Sequence, residues 1–279
     1  RYATVSPKRF DRGAGRGRIR LGYLSADFHD HATLHLTLPL YGGHDRDRFE
    51  VYAYSIGYQD SGAHRQRVVA DCDLFRDVSG LSDAALAKRI RDDRVDILLD
   101  MKGYTGGGRP GVLALRPAPV QVGYIGYPGT MGCSFVEFLI ADRIIVPESH
   151  FSAYSERVLW MPNSYQATDD EQPVGESNFR RAEYGLPPDE IVFCCFNTSA
   201  KIDRHAFYAW CEILRRVPRS VLWLLEPPDA AKKNLTRCLI QAGLDPVRLI
   251  YAKAEPKARH LARIGLADIA LDTFICNAH

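Results

Sequence analysis

The segment Phe196-Asn-Thr-Ser-Ala-Lys-Ile-Asp203 combines residue types that can hold an anion. An apolar run, Ile191–Cys195, precedes it, and an amphipathic stretch, Arg204–Val217, follows. Strand, polar turn and helix in that order aim backbone N–H groups and a positive helix end at one point. Lys201 lies at the mouth of the turn, and Asp203 is placed to cap the helix. A lysine and a helix amino end converging there suit a departing phosphate. An ordinary βα turn with a solvated lysine would use the same residues, so other segments have to decide.

Two further loops bear on that choice. Lys102-Gly-Tyr-Thr-Gly-Gly-Gly-Arg-Pro-Gly111 follows an apolar run ending at Met101. Its five glycines allow close backbone approach to a ligand, and Arg109 can meet a phosphate or carboxylate, although tight turns alone also use glycine. Gly126-Tyr-Pro-Gly-Thr-Met-Gly132 follows the next apolar run, and both loops are expected to line one edge of the same site. His29, His31 and His35 invite a metal-site reading, since His31 and His35 are one helical turn apart. No neighbouring cysteine or carboxylate pattern completes a closed site, and no metal is expected. His31 suits a helix start that contacts a substrate hydroxyl or phosphate, with a purely structural role left open. Pro256-Lys-Ala-Arg-His260 opens a helix, putting Lys257 and His260 on one face. A lysine there opposes the helix dipole unless a ligand compensates.

Short apolar runs alternating with helical patterns must position these residues. The expected strands are Ile19–Ser25, Glu50–Ser55, Leu74–Val78, Asp96–Met101, Val120–Ile125, Phe138–Val146 and Arg157–Met161, then Ile191–Phe196, Val221–Leu225, Leu249–Ala252 and Ile269–Asp272. Helical patterns lie at 31–41, 63–70, 82–91 and 109–115, then 204–217, 229–242 and 256–264, with Ser82 as an N-cap and Pro256 as a first helical residue. Such alternation predicts parallel sheets wound in βαβ units. Apolar periodicity fades between 162 and 190, which reads as a connection with little room for a core. The expected organisation is a flexible lead-in at 1–18, one Rossmann-like lobe at 19–161, a linker at 162–190 and a second lobe at 191–279. Two such lobes place a cleft at the strand carboxyl ends. The second series stops after its fourth strand, so a continuation beyond His279 is expected.

Composition narrows the classes. With 279 residues, 46% hydrophobic and 25% charged, the chain reads as a globular protein of more than one core. A net charge of +2 and the lack of a basic helix interleaved with aromatics argue against nucleic acid as partner; the Gly/Arg-rich run Arg12–Arg20 reads as a mobile lead-in. Seven cysteines without a C-x-x-C pair fit a reducing, cytoplasmic setting, and no apolar run reaches membrane-span length. Neither lobe carries G-x-G-x-x-G after its first strand or G-x-x-x-x-G-K-[ST], so dinucleotide redox and nucleotide hydrolysis lack their phosphate signatures.

Taken together, the motifs resemble the O-GlcNAc transferases, which have the α/β GT-B architecture and move N-acetylglucosamine from UDP-GlcNAc to Ser/Thr of proteins. The similarity runs from about Ile19 to His279 and rests on Gly22–Thr33, Gly103-Tyr-Thr105, Ala114–Pro119, Gly126–Thr130, Phe196-Asn197 with Lys201–Asp203, Val217-Pro218 with Ser220–Leu225, and Leu266–Asp268 with Leu271–Thr273. The resemblance implies that Lys201 neutralises the diphosphate of leaving UDP. It implies that Lys257 contacts the ribose, that His260 lies against the uracil and that Arg263 is near its edge. His279 is similar to the first residue of a phosphate-binding His-Thr-Thr turn, and Thr198, Cys276, Gly129 and Thr130 fall on the donor side. His31, with Tyr104 and Thr105, falls on the sugar and acceptor side, and Asp93 is the candidate acidic partner in catalysis. The implied reaction is inverting and uses no metal or other cofactor. Its partners are a UDP-sugar and protein or peptide acceptors, with tetratricopeptide repeats ahead of the catalytic region. Thr198 and Ala200 depart from the glutamine and tyrosine of some members, and Asp96 from a histidine of the animal enzymes. The short linker points to a bacterial type. A sister group that transfers fucose from GDP-fucose shares Arg-Pro-Ala-Pro and Asp272-Thr-Phe274, and an inactive scaffold of the same fold is the other alternative.

Overall fold

Runs of β-branched, leucine and aromatic residues buried on both sides form strands covered by helices on two faces. In the first unit these are β1 (Ile19–Ser25), β2 (Phe49–Ser55), β3 (Leu74–Asp77), β4 (Ile97–Asp100), β5 (Val120–Gly123), β6 (Phe138–Ala141) and β7 (Arg157–Trp160). They make one parallel sheet in the order β3-β2-β1-β4-β5-β6-β7. The structure, a computed structural model, describes residues 17–170, 172–176 and 178–277. The chain separates into two compact units, residues 1–170 and 171–279.

Helices α1 (Ala32–Gly42) and α2 (Ala63–Asp71) pack on one face of this sheet, where Leu34, Leu38, Tyr41 and Val68 meet Leu21, Tyr23, Val51 and Leu99. On the other face α3 (Asp83–Asp92) and α4 (Pro110–Ala114) bring Leu86, Ile90, Val112 and Leu113 against Leu24, Tyr54 and Leu98. Ser82 caps α3 by accepting the Ala85 N–H at 3.3 Å. The expected strand to Val146 ends instead at Ala141. Asp142 Oδ1 accepts the N–H groups of Ile144 and Ile145 at 2.9 and 3.0 Å and turns the chain away from the ladder.

The second unit has β8 (Ile191–Cys195), β9 (Ser220–Leu225), β10 (Leu249–Ala252) and β11 (Ile269–Ala270) in the parallel order β10-β9-β8-β11. Helices α5 (Arg204–Arg216) and α6 (Asp229–Gln241) cover one face with Phe207, Trp210, Leu214 and Leu239. Cys194 and Cys195 enter cores on opposite faces, as strand alternation requires. Leu186 and Tyr184, within the stretch expected to lack a core, pack with Trp223 and Val192 on the second face. The turn that delivers them, Arg181–Tyr184, ends on Gly185 at φ +67°, a backbone angle glycine adopts without penalty. Helix α7 (Lys257–Ile264) begins one residue later than expected, and Pro256 occupies its N-cap.

In each sheet the chain starts inside, winds to one edge and returns on the other side of its first strand. Strand order therefore reverses between β1 and β4 and between β8 and β11. Open α/β sheets bind ligands outside the strand carboxyl ends at such reversals. All seven cysteines are unpaired thiols, and among the described residues no helix is long and apolar enough to cross a membrane.

Candidate functional site

At the β1/β4 reversal the segments after β1, β2 and β4 line an open pocket of about 530 Å³, with Asp27, His29, His31, Tyr58, Lys102 and Thr105 among its walls. Its floor is an ion pair: Lys102 Nζ donates to Asp27 Oδ1 and Oδ2 at 2.9 and 2.8 Å, and both side chains are only 6% exposed. Neither residue stands out in the sequence. His31 is the N-cap of α1, and its Nδ1 accepts the Thr33 N–H at 3.1 Å. That bond assigns the imidazole proton to Nε2, which becomes the nitrogen available to a ligand. His29 Nδ1 is buried without a hydrogen-bond partner among the described residues, a polar atom a ligand could satisfy. Thr105 Oγ1 donates to Lys102 O at 2.7 Å, while Tyr104, half exposed, donates to Met131 O at 2.8 Å and so ties this loop to the one after β5. Glycine is required where those loops meet: a Cβ on Gly126 would collide with the Met101 carbonyl.

At the β8/β11 reversal the turn after β8 is laced to the segment after β11. Lys201 Nζ donates to Asn277 O at 2.9 Å. Asn197 Nδ2 donates to Asp272 Oδ1 at 2.9 Å and to Thr273 Oγ1 at 3.1 Å, and Thr273 Oγ1 donates to Cys276 O at 2.6 Å. Lys201, the exposed Cys276 and the exposed Thr198 thus share one end of the sheet. The amino end of α5 is closed. Asp203 Oδ1 accepts the N–H groups of His205 and Ala206 at 2.7 and 3.1 Å, which leaves Lys201 as the positive group of the turn.

His260 of α7 packs edge-to-face on Phe196, 4.8 Å between ring centres, immediately beside Asn197. Burial first and Arg263 second hold its imidazole below 6.5, against a weaker pull from Glu255, so it is neutral at neutral pH. Arg263 Nε donates to His260 Nδ1 at 3.0 Å, leaving the proton of the neutral ring on Nε2. Lys257 is exposed one turn earlier on the same helix.

Several expected roles change. Arg263, expected at the edge of a base, is 1% exposed: it donates to Lys253 O at 2.7 Å and lies over Tyr184, Phe196 and Trp223. Burial makes it the residue that orients His260, not a ligand contact. Asp93, expected as a catalytic acidic partner, lies ahead of the amino end of β4, opposite to the loops around His31. Its carboxylate is held by Arg76 Nε and Nη2 at 2.8 and 2.7 Å and by Tyr54 Oη at 2.9 Å. Arg109 is likewise committed, with Nε on Asp83 Oδ1 at 2.8 Å and Nη2 on Leu81 O at 2.7 Å. Thr130 sits beside Gly129 on the loop after β5. Its hydroxyl bonds the buried Glu156 at 2.7 Å and accepts the N–H of Ser155 at 3.1 Å, so it shapes the loop. His279 lies outside the described residues.

Parallel α/β units with polar loops at both strand-order reversals are the make-up of a GT-B glycosyltransferase. The chain belongs to glycosyl transferase family 41, which it matches over residues 5–180 and 166–279. It is 38% identical over 273 residues to a probable UDP-N-acetylglucosamine–peptide N-acetylglucosaminyltransferase (SEC) of Arabidopsis thaliana, covering 96% of this chain and 28% of that protein. It is 28% identical over 374 residues to the UDP-N-acetylglucosamine–peptide N-acetylglucosaminyltransferase of Caenorhabditis elegans, covering 94% and 32%. Among solved structures, a mutant O-GlcNAc transferase of Thermobaculum terrenum superposes with a TM-score of 0.84 at 30% identity, over 94% of this chain and 49% of that one. The chain thus spans about a third or less of those two sequence relatives.

Proposed function

We propose that this chain carries the chemistry of a protein O-GlcNAc transferase, moving N-acetylglucosamine from UDP-GlcNAc to Ser/Thr hydroxyls with inversion and without a metal. The observation that carries the reading is the Lys201 ammonium at the β8/β11 reversal, in a chain of this family. The acceptor hydroxyl oxygen attacks the anomeric carbon and gives up its proton to solvent, the bond from that carbon to the diphosphate breaks on the opposite face, and UDP leaves with the electron pair. Lys201 stabilises the charge that develops on the diphosphate, as a fixed cation does best where charge grows in the transition state. Lys257 takes the ribose hydroxyls and His260 the uracil, with Thr198, Cys276, His279 and Gly129 on the donor side. His31, Tyr104 and Thr105 serve the sugar and acceptor, with His31 Nε2 as hydrogen-bonding group. We place the reaction in the reducing cytoplasm, which suits seven unpaired thiols, with tetratricopeptide repeats recruiting acceptors ahead of this region.

The test is transfer from UDP-GlcNAc to a Ser/Thr peptide by the full-length protein, read by mass spectrometry. Addition of N-acetylhexosamine that disappears in Lys201→Ala supports the reading. Addition of deoxyhexose from GDP-fucose, or no transfer from any donor, overturns it.

A further inference from the structure

The histidine pattern at the start of α1 has an outcome the linear sequence hides. His35 does not join His29 or His31. It meets Asp30 and, 29 residues further along the chain, His64 on the first turn of α2. One ligand atom from each of Asp30, His35 and His64 lies within 4.8 Å of the other two. His35 Nε2 is 2.7 Å from Asp30 Oδ1, and the rings of His35 and His64 stand edge-to-face with centres 4.3 Å apart. We propose that these three residues form a binding site for a borderline divalent transition metal, zinc(II) in the first place.

The donor set selects the ion class. Two imidazoles and one carboxylate suit zinc and its first-row neighbours and disfavour magnesium and calcium, which take oxygen cages. Zinc in a tetrahedral shell needs donors about 3.3 Å apart on bonds of about 2.0–2.1 Å. The Asp30–His35 contact therefore opens slightly and His64 closes in, both by rotation of partly exposed side chains.

Asp60 prepares the site. Its Oδ2 accepts the Asp30 N–H at 3.2 Å and its Oδ1 accepts the N–H of Gly62, the N-cap of α2, at 2.7 Å. One carboxylate thus clamps both ligand-bearing segments, and those backbone bonds hold its own carboxyl below the usual range. The neighbouring Arg65 cation is neutralised by Asp77 at 2.7 Å, so Asp30 and Asp60 leave the corner negative. His31, the residue the proposed transfer uses, is outside the ligand set.

The test is titration of chelator-stripped full-length protein with zinc(II) alone, by calorimetry and by competition with a chromophoric chelator, followed by cobalt(II) spectroscopy. The native protein should take up one zinc that His64→Ala and Asp30→Asn each weaken by about tenfold or more, while His150→Ala, in the turn Glu148–Ala153 and outside the ligand group, leaves it unchanged. Cobalt should give visible d–d bands that the same two variants lose. Asp30 is exposed, so Asp30→Asn keeps the test decisive should His64→Ala misfold. No zinc uptake by the native protein, or uptake unaltered in both variants, overturns the proposal.

Discussion

The Lys102 ammonium is held by both carboxylate oxygens of Asp27, and the pair spans the β1/β4 reversal from two loops 75 residues apart. At 6% exposure each, neither charge has water to fall back on. Lys102→Met should cost about 3–5 kcal/mol, because it leaves a carboxylate buried without its cation. Adding Asp27→Asn to that variant should recover part of the loss. Urea unfolding of the two variants checks this; equal stability of the single and double variants would contradict it.

Lys201→Ala should lower transfer by about 100- to 1000-fold, the usual effect of deleting one group that stabilises developing charge. Among the described residues the Lys201 ammonium bonds the Asn277 carbonyl, and the side chain is partly exposed, so the fold should survive. Steady-state transfer with a peptide acceptor, alongside circular dichroism, checks both halves. Unchanged turnover removes Lys201 from the chemistry.

UDP should bind at least tenfold more tightly than GDP, a gap of about 1.4 kcal/mol. A neutral imidazole braced by Arg263 and Phe196 offers a small flat surface suited to a pyrimidine. Calorimetry on the full-length protein decides, and tighter GDP binding transfers the reading to a fucosyl donor. His260→Ala should weaken UDP directly. Arg263→Gln should weaken it indirectly and also lower stability, since it empties the space between Tyr184, Phe196 and Trp223.

Transfer should persist after dialysis against EDTA. The two Asp-x-Asp triplets of the chain, Asp45–Asp47 and Asp71–Asp73, stand ahead of β2 and β3, at the amino ends of the sheet. If zinc occupies the Asp30–His35–His64 corner, EDTA should lower the melting temperature and leave the rate at room temperature alone. Lost activity restored by manganese or magnesium would refute metal independence.

Asp100 gives the first unit a pH signature. Burial pushes its carboxyl up to about 6 from an ordinary 3.8, against the downward pull of the Lys102 and Gly103 N–H groups and of the Lys102 charge. Between those values the folded chain holds this proton more firmly than the unfolded one. Its contribution is therefore complete below 3.8 and lost as pH rises to 6, a swing of about 3 kcal/mol. Stability of Asp100→Asn should rise more steeply with pH across that window than stability of the native protein. Parallel curves from urea unfolding would exclude the effect.

The sequence made local arrangements readable and distant ones not. Strand, turn and helix around Lys201 lie within one continuous segment, so residue order alone predicts their geometry. The Asp27–Lys102 pair could not be read, because an aspartate and a lysine in separate loops look like surface charges until the sheet brings them together. Arg263 misleads for a related reason. Three residues after His260 it reads as another exposed ligand, but aromatic rings from positions 184, 196 and 223 converge to enclose it. Asp93 misleads through polarity of the strand: a few residues before β4 is the wrong end of the sheet.

The lacing of Asn197 to Asp272 and Thr273 has a kinetic consequence. These partners are 75 and 76 residues apart, so their contact closes a long loop beside the β8/β11 pairing. Contacts of such high sequence separation are late events in chain collapse. During refolding, amides of β8 and β9 should acquire exchange protection before the chain regains affinity for UDP. Under the proposed function, UDP binding would then report completion of the second unit.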